Sequence, residues 1–188
     1  MSVPINIITC PQWGAKKPKQ TLELCPASTR IIFHHTAGHH QEVDNRRLES
    51  RAEAERYARD IQAYHMSEGW LDSGHNFLVC RNGLILQGRW LTVNAIEAGH
   101  MVVSAHCPGQ NTQIGIEHEH LGSEAMTTKQ FEASARLMAW IAEQYKRRNV
   151  LRVDPHSMHY QTDCPANLKS NISSIRKRAQ RILDASKF

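Results

Sequence analysis

Apolar residues fall on both parities of Arg30-Ile31-Ile32-Phe33-His34-His35-Thr36, the pattern of a strand buried on both faces of a sheet. Ala37-Gly38 supplies a turn directly after it. The period then changes. From about Asp44 to Met66, Ala54, Ala58, Ile61 and His65 recur at helical spacing while Arg and Glu fill the other face. This predicts an amphipathic helix stopped by Gly69. His75–Cys80 and Leu84–Gln87 read as strands joined by Arg81-Asn82-Gly83, an Asn-Gly hairpin turn. Trp90 to Asn111 reads as loop, with Pro108-Gly109 inside it, and Gln113–Glu119 as a further strand.

Thr127-Thr128-Lys129-Gln130 forms a capping box that opens a second helix running to about Arg148. Phe131, Ala135, Met138, Ala142 and Tyr145 lie on its inward side. Residues 168–188 form a final helix whose apolar stripe is Leu168, Ile172, Ile175, Ala179 and Ile182. Residues 1–29, with Pro11, Pro18 and Pro26 among several charges, read as an irregular N-terminal arm. With one more strand between the last two helices, the order predicts an α/β fold, a central mixed β-sheet flanked by helices.

At 188 residues, with no internal repeat or low-complexity linker, the chain reads as a single domain, 1–188. Apolar content of 40% and charged content of 22% are ordinary for a globular protein. No apolar run approaches the roughly 20 residues that span a bilayer. Met1 to Ile7 has no basic, apolar leader pattern, so the expectation is a chain without a signal peptide, made in the cytoplasm.

The formal net charge is +5, with Lys169, Arg176, Lys177, Arg178, Arg181 and Lys187 crowded at the end of the chain. A solvated helix face and a contact with an anionic surface both account for this excess. Nucleic acid is not indicated as a partner, since no aromatic platform, helix-turn-helix signal or finger spacing accompanies the charge. Five cysteines include no Cys-x-x-Cys pair. Cys10 and Cys25 could pair in an oxidising compartment, but free thiols suit a chain without a leader.

Twelve histidines are the compositional outlier. His34 ends the first buried strand, and His156 and Cys164 stand eight residues apart in a loop bounded by Pro155 and Pro165. Catalytic zinc needs three such ligands and one open position. Taken alone, these residues are equally compatible with a buried structural role.

Ile32-Phe33-His34-His35-Thr36-Ala37-Gly38 and the stretch from Ile61 to Val79 resemble signatures of the peptidoglycan recognition protein and type-2 amidase superfamily. So do Trp13-Gly14-Ala15, Asn82-Gly83, Gln87-Gly88-Arg89, Gly99-His100, Asn111 to Ile116, His156 and Thr162-Asp163-Cys164-Pro165. All occur in the family's order. The resemblance implies the family's fold, zinc held by His34, His156 and Cys164, bacterial peptidoglycan as partner and a monomeric enzyme. It also implies hydrolysis of the amide joining N-acetylmuramic acid to L-alanine. A phage endolysin that lyses cells after release from the host cytoplasm is the leading expectation. A cytoplasmic muropeptide-recycling amidase and a non-catalytic recognition module are the alternatives.

The family's two catalytic arrangements are mixed here. Phage-type members carry a Tyr and a Lys where this chain has His75 and Thr162, and Thr162 matches catalytic recognition proteins. Recycling amidases place a Glu after Ile-Gly-Ile, where this chain has Glu117. The expectation is Glu117 as general base with His75 assisting, and His100 along the substrate cleft. His35 belongs to the opposite strand face and His65 to the core. His159 is passed over as a ligand, and His39, His40 and His106 are loop residues without an assigned role.

Overall fold

The computed structural model describes residues 2–36 and 50–186. The expected turn at Ala37-Gly38, the loop residues His39 and His40, and the expected helix start at Asp44 lie outside them. The elements in chain order are β1 (Ile7–Ile8), α1 (Cys10–Trp13), β2 (Leu24–Pro26), β3 (Arg30–His35), α2 (Arg51–Ser67), β4 (Phe77–Val79) and β5 (Ile85–Gln87). There follow α3 (Thr92–Glu97), β6 (His100–Val102), β7 (Ile114–His118), α4 (Thr128–Gln144), β8 (Arg152–Pro155) and α5 (Ile172–Ser186). Short 3-10 turns at His156–Met158 and Ala166–Asn171 connect β8 to α5.

Six strands form a mixed sheet in the order β1-β5-β4-β7-β3-β8. The β4–β5 hairpin is antiparallel and every other pair in this sheet is parallel. The fold is therefore the α/β architecture with a central mixed β-sheet flanked by helices. A second sheet pairs β2 with β6. Residues 1–29 are thus not wholly irregular, and the stretch from Trp90 to Asn111 holds a helix and a strand. The strands in both stretches come from pairings with distant segments, which leave no local period.

Local chemistry sets the helix ends. Ser50 caps α2 by accepting from the Glu53 amide, and the Glu53 carboxylate accepts from the Ser50 amide at 2.8 Å. Thr127 accepts from the Gln130 amide at 3.0 Å. The expected reciprocal half is replaced: the Gln130 side chain donates inward to the carbonyls of Val79 and Glu119, so one glutamine ties α4 to two strands. Leu168 falls in the 3-10 turn, and α5 proper begins at Ile172.

The two faces of the sheet are covered differently. Ile31, Phe33, Phe77, Ile114 and Ile116 are buried in one cluster with Leu137, Met138 and Ile141 of α4 and Ile175, Ala179 and Leu183 of α5. Each large apolar side chain so buried contributes about 1.5–3 kcal/mol. On the opposite face, Leu78, Cys80 and Leu86 pack against Tyr57, Ala58 and Ile61 of α2 and against Trp13. Among the described residues no helix is long and apolar enough to cross a membrane.

Candidate metal centre

Alternation along β3 sends Ile31 and Phe33 toward α4 and leaves His34 on the α2 side. The register then sets its neighbours. His34 pairs with Glu117 of β7, and Glu117 pairs in turn with Leu78 of β4. Phe33 pairs with Pro155, the last residue of β8, so the chain leaving β8 delivers His156 beside His34, with ring centroids 4.2 Å apart. The loop then returns. The Ser157 amide donates to the Cys164 carbonyl at 2.7 Å, and the His35 amide donates to the Cys164 sulfur at 3.3 Å.

One ligand atom each from His34, His156 and Cys164 lies within 4.8 Å of the others. Cys164 Sγ stands 3.7 Å from His34 Nδ1. His156 Nε2 is buried and has no hydrogen-bond partner, a costly state for a polar atom unless something coordinates it. Burial, reinforced by neighbouring imidazoles, holds His34 well below its ordinary pKa and His156 down to about 4. Both rings therefore keep the lone pairs a metal requires. Burial pushes the Cys164 thiol up to about 12, partly countered by the His35 amide, and a cation in the cluster would reverse that shift. Two neutral imidazoles and a sulfur fit zinc.

Glu117 and His75, weighed as separate candidates for the base, stand as a pair. Glu117 Oε2 lies 3.0 Å from His75 Nδ1, both side chains being buried, and the His75 ring packs edge-on to His34 at 4.5 Å. His75 Nε2 is buried without a hydrogen-bond partner. Thr162 Oγ1 accepts from the Cys164 amide at 3.2 Å, so it shapes the loop that carries the sulfur.

His100 is not brought to this cluster. It is exposed on β6, paired with Pro26, and its carbonyl accepts from the Tyr145 hydroxyl. The histidine of that stretch which reaches the centre is His106, overlooked as a loop residue. Its Nδ1 lies 2.9 Å from His34 Nε2 and its Nε2 lies 3.0 Å from the Gln113 carbonyl. Burial lowers it to about 3. The one trace of it in the sequence is Gly115, a glycine inside a strand, which is consistent with a close approach.

Four other described histidines have partners elsewhere. His118 faces α4, with Nδ1 at the His34 carbonyl and Nε2 at Ser134 Oγ, each 3.0 Å away. His159 contacts buried Asp154 at 3.0 Å, and His120 meets Asn167 at 2.6 Å. His65 accepts from the Gly74 amide and stacks on Trp70 at 4.5 Å. All five cysteines are free.

The chain matches the family described as N-acetylmuramoyl-L-alanine amidase over residues 26–167. It is 34% identical over 97 residues to peptidoglycan-recognition protein SC1a/b of Drosophila simulans, covering 50% of this chain and 49% of that protein. The chain thus spans about half the length of that relative. Among solved structures, wild-type PGRP-LB of Drosophila superposes with a TM-score of 0.74 at 25% identity, covering 90% of this chain and 93% of that one. The N-acetylmuramoyl-L-alanine amidase LysC of Clostridium intestinale superposes with a TM-score of 0.66 at 20% identity, over 91% and 97% of the two chains, a likeness of fold. The family match runs from β2 into the turn after Cys164, taking in His34, Glu117, His156 and Cys164, and by it the chain belongs to the N-acetylmuramoyl-L-alanine amidase family.

Proposed function

We propose that this protein is a zinc-dependent N-acetylmuramoyl-L-alanine amidase that hydrolyses the muramoyl–alanine amide of bacterial peptidoglycan. The observation that carries the reading is the convergence of His34, His156 and Cys164 around a buried, unpartnered imidazole nitrogen, with Glu117 directly opposite His34. These three side chains would hold the ion. Zinc, when bound, supplies Lewis acidity toward water and the amide carbonyl. Glu117 accepts the proton of the attacking water, and His75, in contact with it, helps return a proton to the departing alanine nitrogen. The C–N bond breaks as the new C–O bond forms, so one water is consumed and one amine released. Burial of Glu117 and His75 keeps this exchange away from bulk solvent.

The role assigned is that of a phage-type endolysin, acting on the wall after release from the host cytoplasm. The Trp13-Gly14-Ala15 arm and Cys164 as the sulfur ligand favour it over a recycling amidase. So do exposed Arg176, Lys177 and Arg181 on α5, which offer a basic face to anionic wall polymers. A second reading, recognition without cleavage, is favoured by the relative named a peptidoglycan-recognition protein.

One experiment separates them. Purified protein is assayed for metal, then incubated with peptidoglycan whose products are resolved by mass spectrometry. The expected result is close to one zinc per chain and stem peptides with new L-alanine amino termini. Tight binding with no released peptide would establish the recognition module, and full activity in strong chelator would remove zinc from the mechanism.

A further inference from the structure

His106 makes contacts that leave little freedom in how protons are arranged around His34. The Gln113 carbonyl can only accept, so the nitrogen 3.0 Å from it, His106 Nε2, must carry the hydrogen. In a neutral ring His106 Nδ1 is then a lone pair. His34 Nε2, 2.9 Å from that lone pair, must donate to it. His34 Nδ1 is thereby left bare, and it is the nitrogen that faces the Cys164 sulfur at 3.7 Å. A backbone carbonyl thus dictates, through two imidazoles, which nitrogen of His34 is open for coordination.

The seat of His106 is equally specific. A Cβ placed on Gly115 would lie 2.4 Å from His106 Cδ2 and 2.5 Å from Cγ, so the ring rests directly on the backbone of β7. Gly115 itself is held in the sheet, its amide donating to Asn76 Oδ1 at 2.9 Å. The loop around His106 is pinned by the Ala105 amide on the Gly74 carbonyl at 3.0 Å and the Cys107 amide on Asn111 Oδ1 at 3.0 Å. A free surface histidine needs no such cradle.

We infer that His106 is a positioning residue for the metal centre, fixing the tautomer and ring orientation of His34 through the Gln113–His106–His34 chain, and that Gly115 is a glycine because His106 must lie against it. The inference rests on the zinc reading above. Groups that orient a ligating histidine in this way typically change metal affinity 10- to 100-fold when removed.

The test is zinc affinity, measured by competition with a chromogenic chelator, for the parent, His106→Leu, His106→Asn and Gly115→Ala. His106→Leu removes the acceptor and is expected to weaken zinc binding about 10- to 100-fold. His106→Asn keeps an oxygen near the position of Nδ1 and should recover most of that loss. Gly115→Ala touches no ligand, yet should weaken binding in the same direction by displacing the ring. Nitrogen-15 NMR of the metal-free parent, which needs no substitution, should find the His34 proton on Nε2. Parent-like affinity in a folded His106→Leu protein, or a proton on His34 Nδ1, would overturn the inference while leaving the zinc reading intact. A parent that binds no zinc would overturn the zinc reading itself.

Discussion

Ile116 and Glu117 are consecutive residues of β7, both buried, and they answer to opposite demands. Ile116 faces α4 among the apolar side chains of Phe33, Phe77 and Met138. Even His118, the polar residue of that strand face, has a partner within 3.0 Å for each ring nitrogen. One residue away, the α2 side carries His34, His75, His156 and Glu117 in close contact, with nitrogens of His75 and His156 left unpartnered. Burying polar groups without full pairing costs free energy. The α4 face supplies the stability that lets the other face keep a reactive, underpaired cluster. Burial alone therefore says little about a residue's role; what marks the face that acts is the convergence of ligating side chains whose ring nitrogens are left open.

That comparison can be broken by substitution. The largest functional effect is expected at Cys164→Ser and His156→Ala, which should drop zinc from about one per chain to near none and abolish amide cleavage. In the metal-free state the melting temperature of His156→Ala should stay close to the parent's, because His156 Nε2 makes no hydrogen bond that could be lost. On the other face, Met138→Ala should cost about 2–5 kcal/mol by leaving a cavity while moving zinc affinity less than twofold at low temperature. Denaturant melts beside chelator titrations check both. A stability loss at His156→Ala as large as at Met138→Ala would erase the distinction.

The next effect in size concerns chemistry alone. Glu117→Gln should keep zinc and fold but lose about 100-fold in turnover, the usual worth of a positioned base. His75→Ala should cost less. Near-parent turnover for Glu117→Gln beside an inactive, zinc-loaded His75→Ala would move the base to His75.

The apolar face was the more legible of the two from sequence. β3, the β4–β5 hairpin, α2 and α4 announce themselves through local period, caps and an Asn-Gly turn. β1, β2 and β6 do not, because two or three residues paired with a distant strand carry no period of their own. In the site, the family resemblance singled out His34, His156 and Cys164, which residue types and spacing alone left open, and the fold brings them together. His106 escaped because its role depends on contacts with His34 and Gln113, and on a glycine whose meaning appears only when a ring lies on it. Gln130 shows the same limit: read as half of a capping box, it instead ties α4 to the sheet.

A smaller effect tests the satisfied side of the comparison. His118, ordinarily near 6.5, is lowered to about 4 by burial, with the His34 carbonyl opposing. Below 6.5 the unfolded chain takes a proton that the folded chain refuses. Stability from this group is thus complete above pH 6.5 and falls as pH drops toward 4, by about 1.4 kcal/mol per unit. His34, His106 and His156 are lowered too and add to the slope. His118→Gln should flatten the melting temperature's dependence on pH by roughly one histidine's share. An unchanged slope in metal-free protein between pH 7.5 and 4.5 would show that His118 does not contribute.

The smallest expected effect lies on the polar side of α5, turned away from the sheet, and it divides arginines that look alike in sequence. Arg178 is tied to Glu132 of α4, its Nε 2.9 and 3.1 Å from the two carboxylate oxygens and its Nη2 2.9 Å from Oε2. Its charge is therefore largely answered within the protein, whereas Arg176 and Arg181 are exposed. If the basic tail docks on an anionic wall, reversing Arg176 and Arg181 to Glu should lower lysis of whole cells several-fold at low salt. The difference should fade near physiological ionic strength, where the screening length shortens to about 8 Å. Arg178→Gln should leave lysis unchanged, since the charge it removes is already paired. Cleavage of a small soluble muropeptide should be the same in all three proteins. Equal lysis by the parent and the double reversal at low salt would show that this face is simply solvated. A loss at Arg178→Gln as deep as at the double reversal would instead show that the α4–α5 packing, and not surface charge, is what the assay reads.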